Sequence, residues 1–555
     1  MNLSVSIFKT SLLTMLLIIG LTINASAQNR PFTHQDTLRG SISKERIWWD
    51  LKYYHLEVAV NPADSTLKGQ NTIRYKVNNP YQVMQIDLQE PMKISKILQD
   101  NKELKFTRDG NAWFVELKKP QKQDAVNELL VQFDGRPRIS RNPPWSGGLS
   151  WRKDKNGGPW IVTTCQGDGA SIWWPCKDHQ YDEPDSMLIS ITVPEALTDV
   201  SNGRLRGVIQ NANHTRTFNW FVSNPINNYG VNMNIADYAH FSDKYQGEKG
   251  VIDCEYYVLK ENLEKAKTYF QEVTRMFKAL EYWYGPYPFY EDSYKLVDVP
   301  YPGMEHQSSV TYGNGYKFGY GGRDESHTGW GLKFDFIIVH ESSHEWYGNS
   351  ITSKDIADMW IHESFGAYSE SLFVDYHYGK QAGSEYCIGT RKNIGNRSPI
   401  IGPYNVNREG SGDMYSKGAN MLHTLRQIVD NDDKFRNILR GLSAKFYHQT
   451  VTTEQVENYL SEATGLNLKL FFDQYLRNTK IPVFEYSVVG KVLAYRWKDC
   501  IVGFDMPLKI KINNTDKWVY PIGELTQLSV DENSTVTVDP AFYVIPSDLS
   551  KSLEK

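Results

Sequence analysis

His340-Glu341-Ser342-Ser343-His344, followed after eighteen intervening residues by Glu363, combines the residue types of a catalytic metal centre. Histidines four apart on a helix stand about 40° apart around the axis and about 6 Å along it, so both imidazoles reach one ion. Imidazole nitrogen and carboxylate oxygen suit zinc, and a set of His340, His344 and Glu363 leaves the fourth position for water, as a catalytic site does. Glu341 is the base in this motif rather than a ligand, and is expected beside that water. One Zn2+ per chain is expected.

The elements that must position these groups are legible around them. Residues 334–339 form an apolar run into His340, as a buried helix requires, and residues 346–349, with Gly348, read as its exit. Ile356, Met359, Trp360, Phe365, Tyr368 and Leu372 recur at helical spacing from Asp355 onward, so Glu363 is expected on a second helix packed against the first. Glu370, seven residues after Glu363, is either a partner for a ligand imidazole or a solvated helix glutamate. His362 and His423 lack ligand spacing and read as hydrogen-bonded structural residues.

Residues 340–349 and 360–368 together resemble the zinc signature of the aminopeptidase N family of gluzincin peptidases, which also includes leukotriene hydrolase. Pro302-Gly303-Met304-Glu305-His306 is similar to that family's Gly-(Ala or Gly)-Met-Glu-Asn exopeptidase motif, and Tyr415-Ser416-Lys417-Gly418 resembles the segment bearing its catalytic tyrosine. Gln166, residues 174–178, 286–289 and 471–475 fit as well, so the resemblance runs in order through most of residues 50–490.

The resemblance implies a zinc aminopeptidase acting on peptides with a free N-terminus. Glu341 would take the proton of the attacking water, and Tyr415 would donate a hydrogen bond to the oxyanion. Glu305 would bind the substrate's α-ammonium, Gln166 would assist at that end, and Gly303 and Met304 would form an edge strand against which the peptide lies. The implied fold is multidomain α+β: an N-terminal all-β, saddle-like domain, a thermolysin-like α/β catalytic domain and a small C-terminal β domain. His306 stands where the best-known members have Asn, Pro302 where they have Gly, and Ser364 where Gly is usual. About 75 residues follow Lys480, too few for the large helical domain that closes the cleft in many members, so a more open cleft is expected.

Composition agrees. The 555 residues are 40% apolar and 23% charged, with net charge -4, which argues against nucleic acid as a partner. Lys9, the apolar residues 11–23 and Ala25-Ser26-Ala27 read as a signal peptide over 1–27, with Gln28 as the mature N-terminus and no membrane span. The chain is expected to be exported, to the periplasm or beyond. Residues 28–257 read as the β domain, with strands at 54–60, 70–77, 127–133, 187–193 and 217–222. Residues 258–480 read as the catalytic domain, opening with an amphipathic helix through Leu263, Ala266, Tyr269, Phe270, Val273 and Phe277. Residues 481–555 read as the small β domain. Thr452-Thr453-Glu454-Gln455 reads as a capping box. Of five cysteines, Cys165 and Cys176 are either a pair or buried free thiols. The sequence leaves the oligomeric state open. A zinc endopeptidase, or a hydrolase of another bond such as an epoxide, is open to the same zinc and carboxylates. A non-catalytic peptide-binding protein would need a broken ligand or base, and none is broken.

Overall fold

The computed structural model describes residues 31–550, and the stretch read as a signal peptide lies outside the described residues. Alternating apolar residues build the N-terminal part. In the strand Trp49–Asn61, Leu51, Tyr54, Leu56, Val58 and Val60 are buried, with an irregularity between Leu51 and Tyr53 resetting the alternation. It lies inside an eight-stranded sheet, antiparallel to Thr66–Val77 and parallel to Ser186–Pro194. All five runs expected as strands fall in this sheet. A four-stranded sheet that includes Pro159–Thr164 shares its core and delivers the chain to Gln166.

The boundary expected at residue 257 is not where the sheets divide. The hairpin of Tyr238–Gly247 and Gly250–Leu259 pairs in parallel with Tyr294–Asp298. A five-stranded sheet results, continuing through Val310–Tyr312 to an outermost strand, Gly303–Met304. Local alternation marks the hairpin as β but says nothing of its partners; Ile252, Cys254, Tyr256 and Val258 join the core of the helical part. The amphipathic helix expected from residue 263 is likewise two helices, Leu263–Tyr269 and Glu272–Tyr284. A tight turn, Val273 N–H to Phe270 O at 3.0 Å, places the Phe270 ring against Tyr312 and Tyr316.

The helix Phe336–Ser343 begins at Asp335, whose carboxylate accepts from Ile338 N at 3.0 Å and from the Tyr312 hydroxyl at 2.8 Å. It ends at His344, and the chain turns back at Gly348, whose φ of +138° a side chain rarely adopts. The second helix, Trp360–Tyr378, is buried from Trp360 through Val374. Gly366 lets the two approach: a Cβ there would lie 2.9 Å from His344 Cε1. A third helix, Ser416–Val429, lays Gly418 against Ser364, and the Ser364 hydroxyl donates to Met414 O at 2.7 Å. Ser364 thus ties the Glu363 helix to the segment carrying Tyr415.

Thr452 and Gln455 form the expected capping box at Thr453–Thr464. The C-terminal β part shares its core with the helices through Phe484, Trp497 and Phe504, and the Tyr475 hydroxyl donates to Tyr543 O at 2.7 Å. Leu508–Ile512 and Val536–Val538 pair in its three-stranded sheet. Among the described residues, no helix is long and apolar enough to cross a membrane. Cys165 and Cys176 are buried free thiols.

Candidate active site

Three donor atoms converge where the two helices cross. His340 Nε2 and His344 Nε2 are 3.4 Å apart, and Glu363 Oε2 lies 3.7 and 3.5 Å from them. A tetrahedral zinc at about 2.1 Å from each donor has donor-to-donor edges of roughly 3.4 Å. Glu363 Oε2 is buried without a hydrogen-bond partner, an orphan that a metal ion satisfies. The other ring nitrogens are engaged: His340 Nδ1 bonds Glu370 Oε1 at 2.8 Å, and His344 Nδ1 bonds Tyr347 O at 2.9 Å. Those bonds orient both rings with Nε2 toward the shared point. Glu370 in turn accepts from the Tyr386 hydroxyl at 2.6 Å, so it is the imidazole partner rather than a solvated residue. Burial opposes a charge on Glu363, but His344 and His340 outweigh it and hold the carboxyl well below its usual range. The residues present fit one zinc ion.

Glu341 follows His340 on the helix and lines a cleft of about 210 Å³ with the three donors, Glu305 and Tyr415. Its enclosure there, with Glu363 and Glu370 nearby, pushes its carboxyl up to about 7 against the pull of His340. Tyr415 directly precedes the third helix, 39% exposed, its ring stacked on that of His340 at 6.0 Å.

Glu305 closes one end of the cleft. It follows the strand Gly303–Met304, which lies so near the zinc helix that a Cβ on Gly303 would meet Ile337 Cγ2 at 2.5 Å and Glu341 Cγ at 3.2 Å. Met304 is buried in the core of the β domain. The Glu305 carbonyl accepts from Asn349 Nδ2 at 2.9 Å, so the turn after the zinc helix holds this strand. Gln166 reaches in from the β domain and donates through Nε2 to Glu305 Oε1 at 2.7 Å and to Glu363 Oε1 at 2.8 Å. Burial, then Glu363 and Glu341, push the Glu305 carboxyl well above its usual range.

Pro302 lines the cleft, whereas His306 does not. His306 is buried, with Nδ1 3.4 Å from Thr311 Oγ1, and burial holds its imidazole neutral, down at about 3. Its departure from the family pattern therefore lies beneath the strand and not on the substrate surface. His362 bonds the Tyr229 hydroxyl and Ser353 N, and His423 bonds the Tyr368 and Ser384 hydroxyls; both are structural, as expected. Two residues escaped the sequence reading. Asn349 stands within the zinc motif with nothing local to mark its bond to the Glu305 carbonyl, just after strand 303–304. Trp145, 67% exposed at the mouth of the cleft, carries no motif at all.

Residues 51–229 match the Peptidase M1 N-terminal domain and residues 262–475 the Peptidase family M1 domain. The chain is 22% identical over 438 residues to a Xenopus laevis leukotriene A-4 hydrolase, covering 74% of this chain and 68% of that one. It is 25% identical over 237 residues to a Lactococcus lactis aminopeptidase N, covering 38% of this chain and 28% of that one. It spans about half of a Sulfurisphaera tokodaii probable aminopeptidase, 20% identical over 424 residues and 73% of this chain. A solved structure of a mutant Deinococcus radiodurans M1 zinc metallopeptidase bound to the tripeptide Tyr-Ser-Ala superposes with TM-score 0.67 at 18% identity, covering 81% of this chain and 99% of that one. The two domain matches together span well over half of the sequence and lie on the β domain and the zinc-site helices: the chain belongs to peptidase family M1.

Proposed function

We propose that this protein is a zinc aminopeptidase that removes residues one at a time from the free N-terminus of peptides. The observation that carries the reading is the pairing of Glu305 with the zinc ligand Glu363 through Gln166. A buried carboxyl crowded by two others lacks a counter-charge, and the α-ammonium of a peptide supplies one; an internal peptide segment has none to offer. Register follows, because an amine held at Glu305 leaves only the first peptide bond beside the donor triad.

His340, His344 and Glu363 would hold the zinc ion, which would supply a Lewis acid for the scissile carbonyl and for the attacking water. Glu341 accepts the proton of the attacking water and delivers it to the leaving amine. Tyr415, protonated at neutral pH because a phenol ionises near 10, donates a hydrogen bond to the oxyanion that develops at the carbonyl. The outer edge of Gly303–Met304 offers backbone groups to the extended peptide, which makes binding tolerant of sequence beyond the first residue.

The test is hydrolysis of matched free and N-acetylated aminoacyl amides by the zinc-loaded protein. Cleavage of the free series alone, lost on chelation and in Glu341→Gln, supports the reading; equal cleavage of both series removes Glu305 from its role and leaves an endopeptidase.

Export is part of the same proposal. The charged start, the apolar residues 11–23 and Ala25-Ser26-Ala27 support delivery to a periplasmic or extracellular space. N-terminal sequencing of protein recovered outside the cytoplasm should begin at Gln28; an intact Met1 there would contradict it.

A further inference from the structure

An α-ammonium held at Glu305 and Gln166 would leave the first side chain of a substrate beside the space bounded by Gln166 and Tyr415. A cavity of about 400 Å³ opens there, walled by Trp145, Gln166, Asp168, Glu409 and Tyr415. Trp145, Gln166 and Tyr415 also line the zinc cleft, so the two spaces adjoin.

The two carboxylates of this cavity differ. Asp168 is engaged on both oxygens, by Arg138 at 2.9 Å and by Gly147 N at 2.6 Å. Glu409 makes neither a hydrogen bond nor an ion pair with any described residue, and it lines the cavity, where burial, then Glu363 and Asp168, push its carboxyl up to about 7. The adjacent Arg408 also lines the cavity, and its guanidinium lies 4.4 Å from the centre of the Phe32 ring. The loop carrying Glu409 is nonetheless fixed: Asn407 Nδ2 donates to Gly167 O at 3.2 Å, Asn407 N to Asp36 O at 3.1 Å, and Gly402 N to Ala357 O at 3.0 Å. An unpaired carboxylate is therefore held in place on a wall that also presents an exposed indole and a phenol. Aromatic faces accommodate the apolar stem of a long cationic side chain, and the carboxylate meets its charge. Building on the aminopeptidase reading, we propose that Glu409 is a specificity determinant that favours arginine or lysine as the first residue of the substrate.

The test is kcat/KM of the zinc-loaded protein for arginine, lysine, leucine and glutamate 4-nitroanilides, in wild type and in Glu409→Gln, Glu409→Asp and Glu325→Gln. Glu325 lines the zinc cleft but not this cavity. The wild type should prefer arginine and lysine over glutamate. Glu409→Gln should lower the arginine-to-leucine ratio about fivefold, the effect of one partly exposed ion pair, mainly through KM, and Glu409→Asp should restore most of it. Should Glu409→Gln fail to fold, high salt must lower the same ratio in the wild type, because exposed charge pairs are screened. An unchanged ratio in folded Glu409→Gln, or a ratio moved by Glu325→Gln instead, overturns the assignment. Cleavage of leucine without any charge preference overturns it alone; no cleavage of any free amide overturns the aminopeptidase reading and this inference with it.

Discussion

Gln166 and Glu305 stand 139 residues apart and meet at 2.7 Å, and the same side-chain nitrogen reaches Glu363 at 2.8 Å. One amide with two hydrogens thus joins the proposed substrate anchor to a zinc donor, and it comes from the β domain. Gln166→Ala leaves two buried carboxylates facing one another without their shared donor. The KM for free peptides should rise about tenfold at saturating zinc, the value of one charge-assisted hydrogen bond. Steady-state kinetics decide this; an unchanged KM would show that the bond only braces the fold.

Glu341 acts as a base only when ionised, and its enclosure raises its carboxyl to about 7. A bound cation favours the ionised form and moves that value down. Activity should therefore climb with pH on an acid limb whose midpoint falls below about 7 in the zinc-loaded protein. Glu341→Gln should lose about 10²- to 10⁴-fold in kcat with zinc content retained. A kcat/KM profile flat down to pH 5, or a nearly active Glu341→Gln, would count against the role.

Glu370 holds His340 through Nδ1 and is itself held by Tyr386. Glu370→Gln should weaken zinc binding about 10- to 100-fold, read by competition with a chelator of known affinity. Tyr386→Phe should act in the same direction but less. Unaltered zinc affinity in Glu370→Gln would reduce the contact to packing.

Gly366 lies where the zinc helices cross, and an added Cβ would stand 2.9 Å from His344 Cε1 and 3.2 Å from its Nε2. Gly366→Ala should lower stability by about 1–3 kcal/mol through overpacking and weaken zinc binding at the same time. Thermal unfolding with and without zinc separates the two effects; a variant as stable as wild type in both states would contradict the packing account.

The zinc donors were legible in the sequence because a helix fixes the geometry of residues four apart, and apolar runs on either side marked both helices. Glu370 was half legible: its spacing from Glu363 put it near the same face, but only the fold shows that it faces His340 rather than water. Gln166 and Glu305 sit on different domains, and no local spacing relates them; the family resemblance singled them out, and the fold brings them together. The hairpin 238–259 reads as β in either domain, since pairing partners are set by distant residues. Trp145 and Glu409 lie on loops, where neither periodicity nor motif reveals which loop faces the cleft.

The most direct test of the central claim follows the products formed from an unblocked decapeptide by mass spectrometry, using zinc-loaded protein over a time course. An amine held at Glu305 predicts a ladder of peptides, each shorter by one residue from the N-terminus, with the free amino acids appearing in sequence order. Internal fragments at early times, with the N-terminal residue still attached, would contradict the account.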